Sequence, residues 1–342
     1  MKILKLLAFL ILLVLIAGAI YFGAKDGSYD IQDSRTIAAP PAMVYNTINE
    51  YKTWEDWGPW KKEDPKMIFE YPEQTSGVGG SYSWKADTSM GGAMQTTAVE
   101  ENKSIEQDLT LFTPGGERNP KTYWTFEPTA EGTKVVWGMR GEHTLIDKIF
   151  YTFNGFDFEG QMHEMNNNGF DGLETYLKSE MNKYEVSTPI IGDYGGGYYV
   201  YITSSTTAAN MQPTMAQNYG TLIGFTAQNQ IAMTGMPFTI YETFAANGGV
   251  IMSNALPVKN RVTVTGETNI LCDYQKPTKA VLTVLKGNYE HLGEAWEAAR
   301  QYITDNGLET SDQKPFEIYT NDPGNYPNPA DWTTEIYIPI KE

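Results

Sequence analysis

Cysteine is nearly absent from this 342-residue chain. Cys272 stands alone, which excludes an internal disulfide and a cysteine-based zinc site and reads as a small packed residue. Basic residues are also short: 25 Lys and Arg face 42 Asp and Glu, for a formal net charge of -17. Phosphate binding needs clustered cations, so no nucleic acid is expected as a partner, and no polybasic patch exists for anionic lipid. The three histidines, His143, His163 and His291, are scattered. His163-Glu164 lacks a second histidine four positions after the first, and no metal site is expected. There is no G-x-S-x-G elbow. Gly77-Val78-Gly79-Gly80 has neither the spacing nor the following helix of a phosphate loop. No cofactor is implied, and these motifs assign no catalytic residue.

Lys2 and Lys5 precede an uncharged run from Leu6 to Phe22. At about 1.5 Å per residue it reaches about 26 Å, marginally enough to cross a bilayer core. A cleaved signal peptide would use Ala17-Gly18-Ala19. A retained anchor is favoured, because the apolar run continues through Ile20-Tyr21-Phe22. No cysteine adjoins it for acylation. The amino-side lysines predict a single-pass membrane protein with a cytoplasmic N-terminus and the rest extracytoplasmic. Residues 1–27 form this segment.

Residues 28–185 read as the first domain. A strand over 30–37 is followed by Ala38-Ala39-Pro40-Pro41, which opens a helix to about residue 49 with proline in its first turn. Trp54, Trp57 and Trp60 recur every three residues, to be packed, exposed or lining a cavity. From 66 to 142 the text is all strands and turns. A long helix over 158–183 carries Phe158, Met162, Met165, Gly169, Leu173, Tyr176 and Leu177 as an apolar stripe facing a sheet. Asn166-Asn167-Asn168 interrupts it; one or two could face a partly polar interior, with solvent exposure the favoured reading.

Residues 186–342 contain a repeat. Pro237-Phe238-Thr239-Ile240-Tyr241 and Pro315-Phe316-Glu317-Ile318-Tyr319 agree in four of five positions, 78 residues apart. Leu256-Pro257-Val258 answers Ile338-Pro339-Ile340. A strand and a helix-compatible segment precede each hairpin: 198–203 and 215–231, then 279–286 and 289–306. Two strand–helix–hairpin units pair best as one pseudo-symmetric domain with a cleft between the halves. The copies differ at Glu317, where the first has Thr239.

Alternation puts Phe316 and Ile318 on one side of their strand and Glu317 and Tyr319 on the other. Likewise Ile336, Ile338 and Ile340 alternate with Glu335 and Tyr337. With the aliphatic side turned to the helices, Glu317, Tyr319, Glu335 and Tyr337 would share one wall, to which Tyr199 and Tyr201 could add. The bland alternative makes them solvent-facing strand positions.

The first domain, with Ile37-Ala38-Ala39-Pro40-Pro41-Ala42-Met43-Val44-Tyr45 and Trp54-Glu55-Asp56-Trp57-Gly58-Pro59-Trp60, resembles the START/polyketide-cyclase-like (SRPBCC) superfamily. That implies a helix-grip fold, a curved antiparallel sheet around the long helix, enclosing a cavity for hydrophobic ligands. The second resembles the GyrI-like (AraC-type effector-binding, SHS2 repeat) family. It does so through the repeat, Gly287-Asn288-Tyr289 with Trp296, Asn321-Asp322-Pro323 and Glu335-Ile336-Tyr337-Ile338-Pro339-Ile340. That resemblance implies a glutamate at Glu317 in an aromatic cleft between the repeats, lined also by Tyr337. The chain departs from the regulators of that family in having a membrane segment and no helix-turn-helix.

The expected fold class is therefore α+β, a helix-grip domain plus a duplicated strand–helix–hairpin domain. The leading function is a membrane-anchored protein that binds a hydrophobic or cationic aromatic small molecule in one or both domains. The candidate ligand-binding residues are Glu317, Tyr337, Tyr319, Glu335, Tyr199 and Tyr201. Some relatives of the second domain are hydrolases of strained small rings, so a hydrolase using Glu317 is the second reading. An envelope interaction protein without ligand is the third.

Overall fold

The computed structural model describes residues 2–87, 90–245, 248–266 and 268–341. Its chain divides into two compact units, Met1–Ser179 and Glu180–Glu342. The fold is α+β.

Helix α1 (Lys2–Ala24) opens the first unit, and its stretch Ile3–Ala24 is long and apolar enough to cross a membrane. Strand β1 (Ser28–Ile37) leads into α2 (Pro41–Asn49), where Pro41 takes the first turn and loses no hydrogen bond there. Two single turns follow, α3 (Trp54–Trp57) and α4 (Trp60–Glu63). The remaining strands are β2 (Ile68–Glu70), β3 (Ser81–Lys85), β4 (Gly91–Glu100), β5 (Ser104–Thr113), β6 (Gly116–Arg118), β7 (Lys121–Thr129) and β8 (Gly132–Glu142). They form one antiparallel sheet in the order β1-β8-β7-β5-β4-β3-β2, with β6 on β5. Helix α5 (Leu145–Asn154) and the long α6 (Phe158–Met181) complete the unit.

Tryptophan builds this core. Trp124 and Trp137 are cross-strand partners on β7 and β8, stacked at 4.3 Å. Trp54 and Trp57 pack edge-on to Trp124, both buried. Of the tryptophan trio, these two are packing residues and Trp60 faces a cavity. Helix α6 buries Gly169, Phe170, Leu173 and Leu177, with Phe170 against Trp137. Of the three asparagines, Asn167 and Asn168 are exposed and Asn166 takes the less favoured inward place. It is buried and donates from Nδ2 to Asp33 Oδ2 at 2.9 Å, which anchors α6 to β1. An amide inside a helix is tolerated when a carboxylate on the facing strand accepts from it.

The second unit contains β9 (Glu185–Val186), β10 (Ile190–Tyr194), β11 (Gly197–Thr207), α7 (Met211–Gln228), β12 (Phe238–Phe244), β13 (Gly249–Val258), β14 (Leu271–Gln275), β15 (Thr278–Lys286), α8 (Leu292–Asp305), β16 (Phe316–Tyr319) and β17 (Thr333–Pro339). The sheet runs β10-β15-β17-β16-β12-β13-β11-β14, with β9 on β15. The order is a duplication made visible. Strands β11, β12 and β13 mirror β15, β16 and β17 about the central β12–β16 pair, where Thr239 stands opposite Glu317. Leu222 of α7 packs with Val200, Ile202 and Leu256. Trp296 and Ala299 of α8 pack with Val281, Ile336 and Ile338. Both helices therefore cover the same face of the sheet.

Candidate functional site

Residues directly opposite in an antiparallel pair project from the same face. The β16–β17 register pairs Phe316 with Tyr337, Glu317 with Ile336, Ile318 with Glu335 and Tyr319 with Thr334. Glu317 and Tyr319 therefore share the helix-covered face with Ile336 and Ile338. Tyr337 and Glu335 lie on the reverse face with Phe316 and Ile318. This corrects the sequence expectation in two respects. The isoleucines of β17 do not join Phe316 and Ile318, and Tyr337 and Glu335 do not stand beside Glu317. Period two sorts residues within a strand, but the pairing across a long loop decides which faces meet, and a one-residue offset exchanges them.

Tyr199 and Tyr201 also project from the reverse face. Tyr199 packs edge-on to Phe238, and Tyr337 stacks on Phe316 at 4.9 Å while its hydroxyl donates to Glu335 Oε2 at 2.8 Å. The six predicted ligand residues thus split into a pair, Glu317 with Tyr319, and a separate group of four on the other side of the sheet.

Around Glu317 the sequence supplies a cluster of aromatic donors. Trp296 Nε1, on α8, donates to Oε1 at 2.5 Å. The Tyr241 hydroxyl, on β12, and the Tyr319 hydroxyl donate to Oε2 at 2.8 and 2.9 Å. The carboxylate is 1% exposed. No cationic side chain pairs with it among the described residues. Burial pushes its pKa above the ordinary 4.5, against the three hydrogen bonds, which favour the ionised form. The charge acts on its neighbours in turn. Burial and Glu317 together hold the Tyr319 and Tyr241 hydroxyls well above the usual tyrosine range. Tyr289, edge-on to Tyr319 and against Trp332, is pushed up to about 12, by burial first and Glu317 second.

The equivalent place in the first repeat is neutral. Thr239 Oγ1 lies 2.8 Å from the Tyr219 hydroxyl and 3.2 Å from the Tyr319 hydroxyl, and accepts from Asn254 Nδ2 at 3.0 Å. Asn218 Nδ2 donates to Asn254 Oδ1 at 2.8 Å. Asn218 precedes Trp296 by the repeat offset, as Tyr241 precedes Tyr319. The site is therefore one polar layer across the pseudo-dyad, with its charge at one end. Tyr241 and Tyr289 were not among the predicted site residues. The 78-residue offset is the signal for Tyr241, since it maps onto Tyr319.

The first unit carries a second candidate site, of different chemistry. A cavity of about 1350 Å³ lies among β3, β5, β8, α4 and α6. Met67, Phe69, Leu109, Met139, Met162 and Met165 supply much of an apolar lining, with Trp60, Trp84 and Trp137 beside them. Met162 and Met165, expected to pack on the sheet, line this space, as does Phe158, which also packs edge-on to Tyr29 of β1, while the stripe buries itself from Gly169 onward. Thr122 and Asn168 bring polar atoms to it. Among the described residues, no group of three or more His, Cys, Asp or Glu could hold a metal ion.

Two family models match the chain. Residues 29–178 match the model described as polyketide cyclase / dehydrase and lipid transport, and residues 277–341 match the GyrI-like small molecule binding domain. No curated protein matches. Among solved structures, the chain is similar to the EcmrR C-terminal domain at 20% identity and a TM-score of 0.38, covering 46% of this chain and 98% of that one. A Mesorhizobium loti protein is 19% identical with a TM-score of 0.34, covering 44% of this chain and 98% of that one. A Chromobacterium violaceum protein is 16% identical with a TM-score of 0.34, covering 43% of this chain and 95% of that one.

Proposed function

We propose that this chain, which joins a polyketide-cyclase-like domain to a GyrI-like domain behind an apolar N-terminal helix, is a membrane-anchored binder of small molecules. In this reading the second unit takes a cationic aromatic ligand at Glu317, and the first takes an apolar one in its cavity. The observation that carries it is the buried carboxylate that no cationic side chain pairs with among the described residues. An ionised group removed from water costs several kcal/mol unless it is paired. Three aromatic donors offset part of that cost, and a ligand cation would offset the rest. The rings of Trp296, Tyr241 and Tyr319 would also offer their faces to it. Glu317 is sealed in the free protein, so the ligand must part the rings that cover it. The neutral Thr239 layer gives the bound molecule a polar end and a charged end.

Titration calorimetry on the full chain, with lipophilic aromatic cations and neutral isosteres, tests this. Truncating one partner of a buried charge pair costs about 2–5 kcal/mol. Glu317→Gln is therefore expected to weaken the cations by roughly 30-fold or more, since about 1.4 kcal/mol is tenfold. The neutral isosteres should change little. Equal affinities of wild type and variant for cations that bind would remove Glu317 from the site.

The raised pKa of Glu317 supports one second reading, a hydrolase in which this group gives or takes a proton. Turnover of a strained-ring substrate by wild type and its loss in Glu317→Gln would favour that reading over binding alone.

A further inference from the structure

Helix α5 is built to be held by its polar residues and to leave its apolar ones outside. Thr144 and Asp147 close a capping box at its start. Asp147 then accepts from Arg118 through both carboxylate oxygens at 2.7 Å, and Lys148 Nζ donates to the Lys25 carbonyl at 2.6 Å. Those contacts tie the helix to β6 and to the end of α1. Meanwhile Ile146, Phe150 and Phe153, at helical spacing on one stripe, remain 59%, 50% and 77% exposed.

Two neighbours say what covers that stripe. Phe153 lies 6.0 Å from Phe22, near the end of the apolar helix α1, so the exposed stripe continues a surface long enough to cross a membrane. Ile146 and Phe150 also line the first unit's cavity, together with Phe156 and Phe158. The same short helix therefore borders lipid-compatible surface on one side and the cavity on the other. Its two nearest charges, Asp147 and Lys148, are both engaged, so burial of apolar area rather than charge would seat it.

We infer that α5 lies in the interfacial layer of the bilayer beside α1 and forms the entrance through which a lipid acyl chain passes from the membrane into the cavity. This rests on the anchor reading above, and the experiment separates the two.

The full chain, in a Cys272→Ser background, is reconstituted in phosphatidylcholine bilayers with bromines at defined depths. A fluorophore is placed at Leu12→Cys, Ile146→Cys, Phe153→Cys or Lys134→Cys. Lys134 sits at the opposite end of β8 from α5, about 26 Å along the strand at about 3.3 Å per residue. Deep bromines should quench position 12, shallow ones 146 and 153, and neither 134. Quenching at 12 without quenching at 146 and 153 overturns the inference and leaves the anchor. No quenching at 12 overturns the anchor and this inference with it.

A diazirine-bearing phosphatidylcholine in the same bilayer then tests entry. Adducts are expected on peptides containing Leu109 and Met139, inside the cavity. Phe150→Asp with Phe153→Asp should lower them by about tenfold, as two apolar contacts with lipid are lost, and leave adducts on α1 unchanged. Absence of cavity adducts, or cavity adducts unaffected by the double variant, overturns the entrance.

Discussion

Glu317 concentrates the chemistry of the second unit in one proton. Its folded-state pKa is raised by burial, so the folded protein keeps the proton to a higher pH than the unfolded chain does. Between the ordinary value of 4.5 and the raised one, folding takes up a proton, and stability falls as pH rises through that window. The melting temperature of the wild type should therefore decline with rising pH over that range in a way that Glu317→Gln does not. The difference, variant minus wild type, should be larger at neutral pH than at about pH 4. Matched thermal scans across pH check it, and parallel curves would show that Glu317 does not titrate in the window. A cationic ligand has the reverse dependence. It binds the ionised form, so its affinity should rise as pH climbs through the same window.

Packing of whole elements depends on small residues where they meet. Helix α6 approaches the α3 turn so closely that a Cβ on Gly172 would overlap the Trp57 carbonyl oxygen. Backbone cannot yield as a side-chain end can, and overpacking of this kind costs about 1–3 kcal/mol. Gly172→Ala should therefore destabilise the first unit, with the Trp54–Trp57 cluster shifting off Trp124. Gly224, inside α7, has open space around its Cβ position. Replacing a helical glycine with alanine there should stabilise by about 0.5–1 kcal/mol. Urea unfolding of both variants measures the pair of effects. No loss of stability in Gly172→Ala would mean that α6 does not rest on the α3 turn.

At the scale of the molecule, each unit has its own sheet and its own set of buried apolar residues. The sequence boundary between residues 185 and 186 passes through β9, whose Glu185 and Val186 pair with Lys286 and Leu285 on β15. Helix α6 ends earlier, at Met181. Fragments 28–181 and 182–342 are expected to fold separately, each unfolding in one cooperative step by circular dichroism. A second fragment beginning at 186 should be less stable, since the cut removes half of that short pairing. Failure of both 28–181 and 182–342 to unfold cooperatively would mean that neither core stands alone.

Sequence alone determined what depends on period and composition. The apolar run at the start, the α+β class and the duplicated hairpin are all written locally, because helices and strands repeat their side chains every 3.6 and 2 residues. The repeat also singled out Glu317, as the position where two otherwise matching pentapeptides differ. Tertiary structure decided what depends on distance along the chain. It set the β16–β17 register across the loop between Tyr319 and Thr333, and so put Tyr337 and Glu335 behind the sheet rather than beside Glu317. It brought Trp296 and Tyr241 onto one carboxylate from elements 21 and 76 residues away. It also turned Asn166 inward, because Asp33, 133 residues earlier, waits there to accept its amide. Alternation says that a strand has two faces. Only the long-range pairing that buries one of them decides which residues meet there.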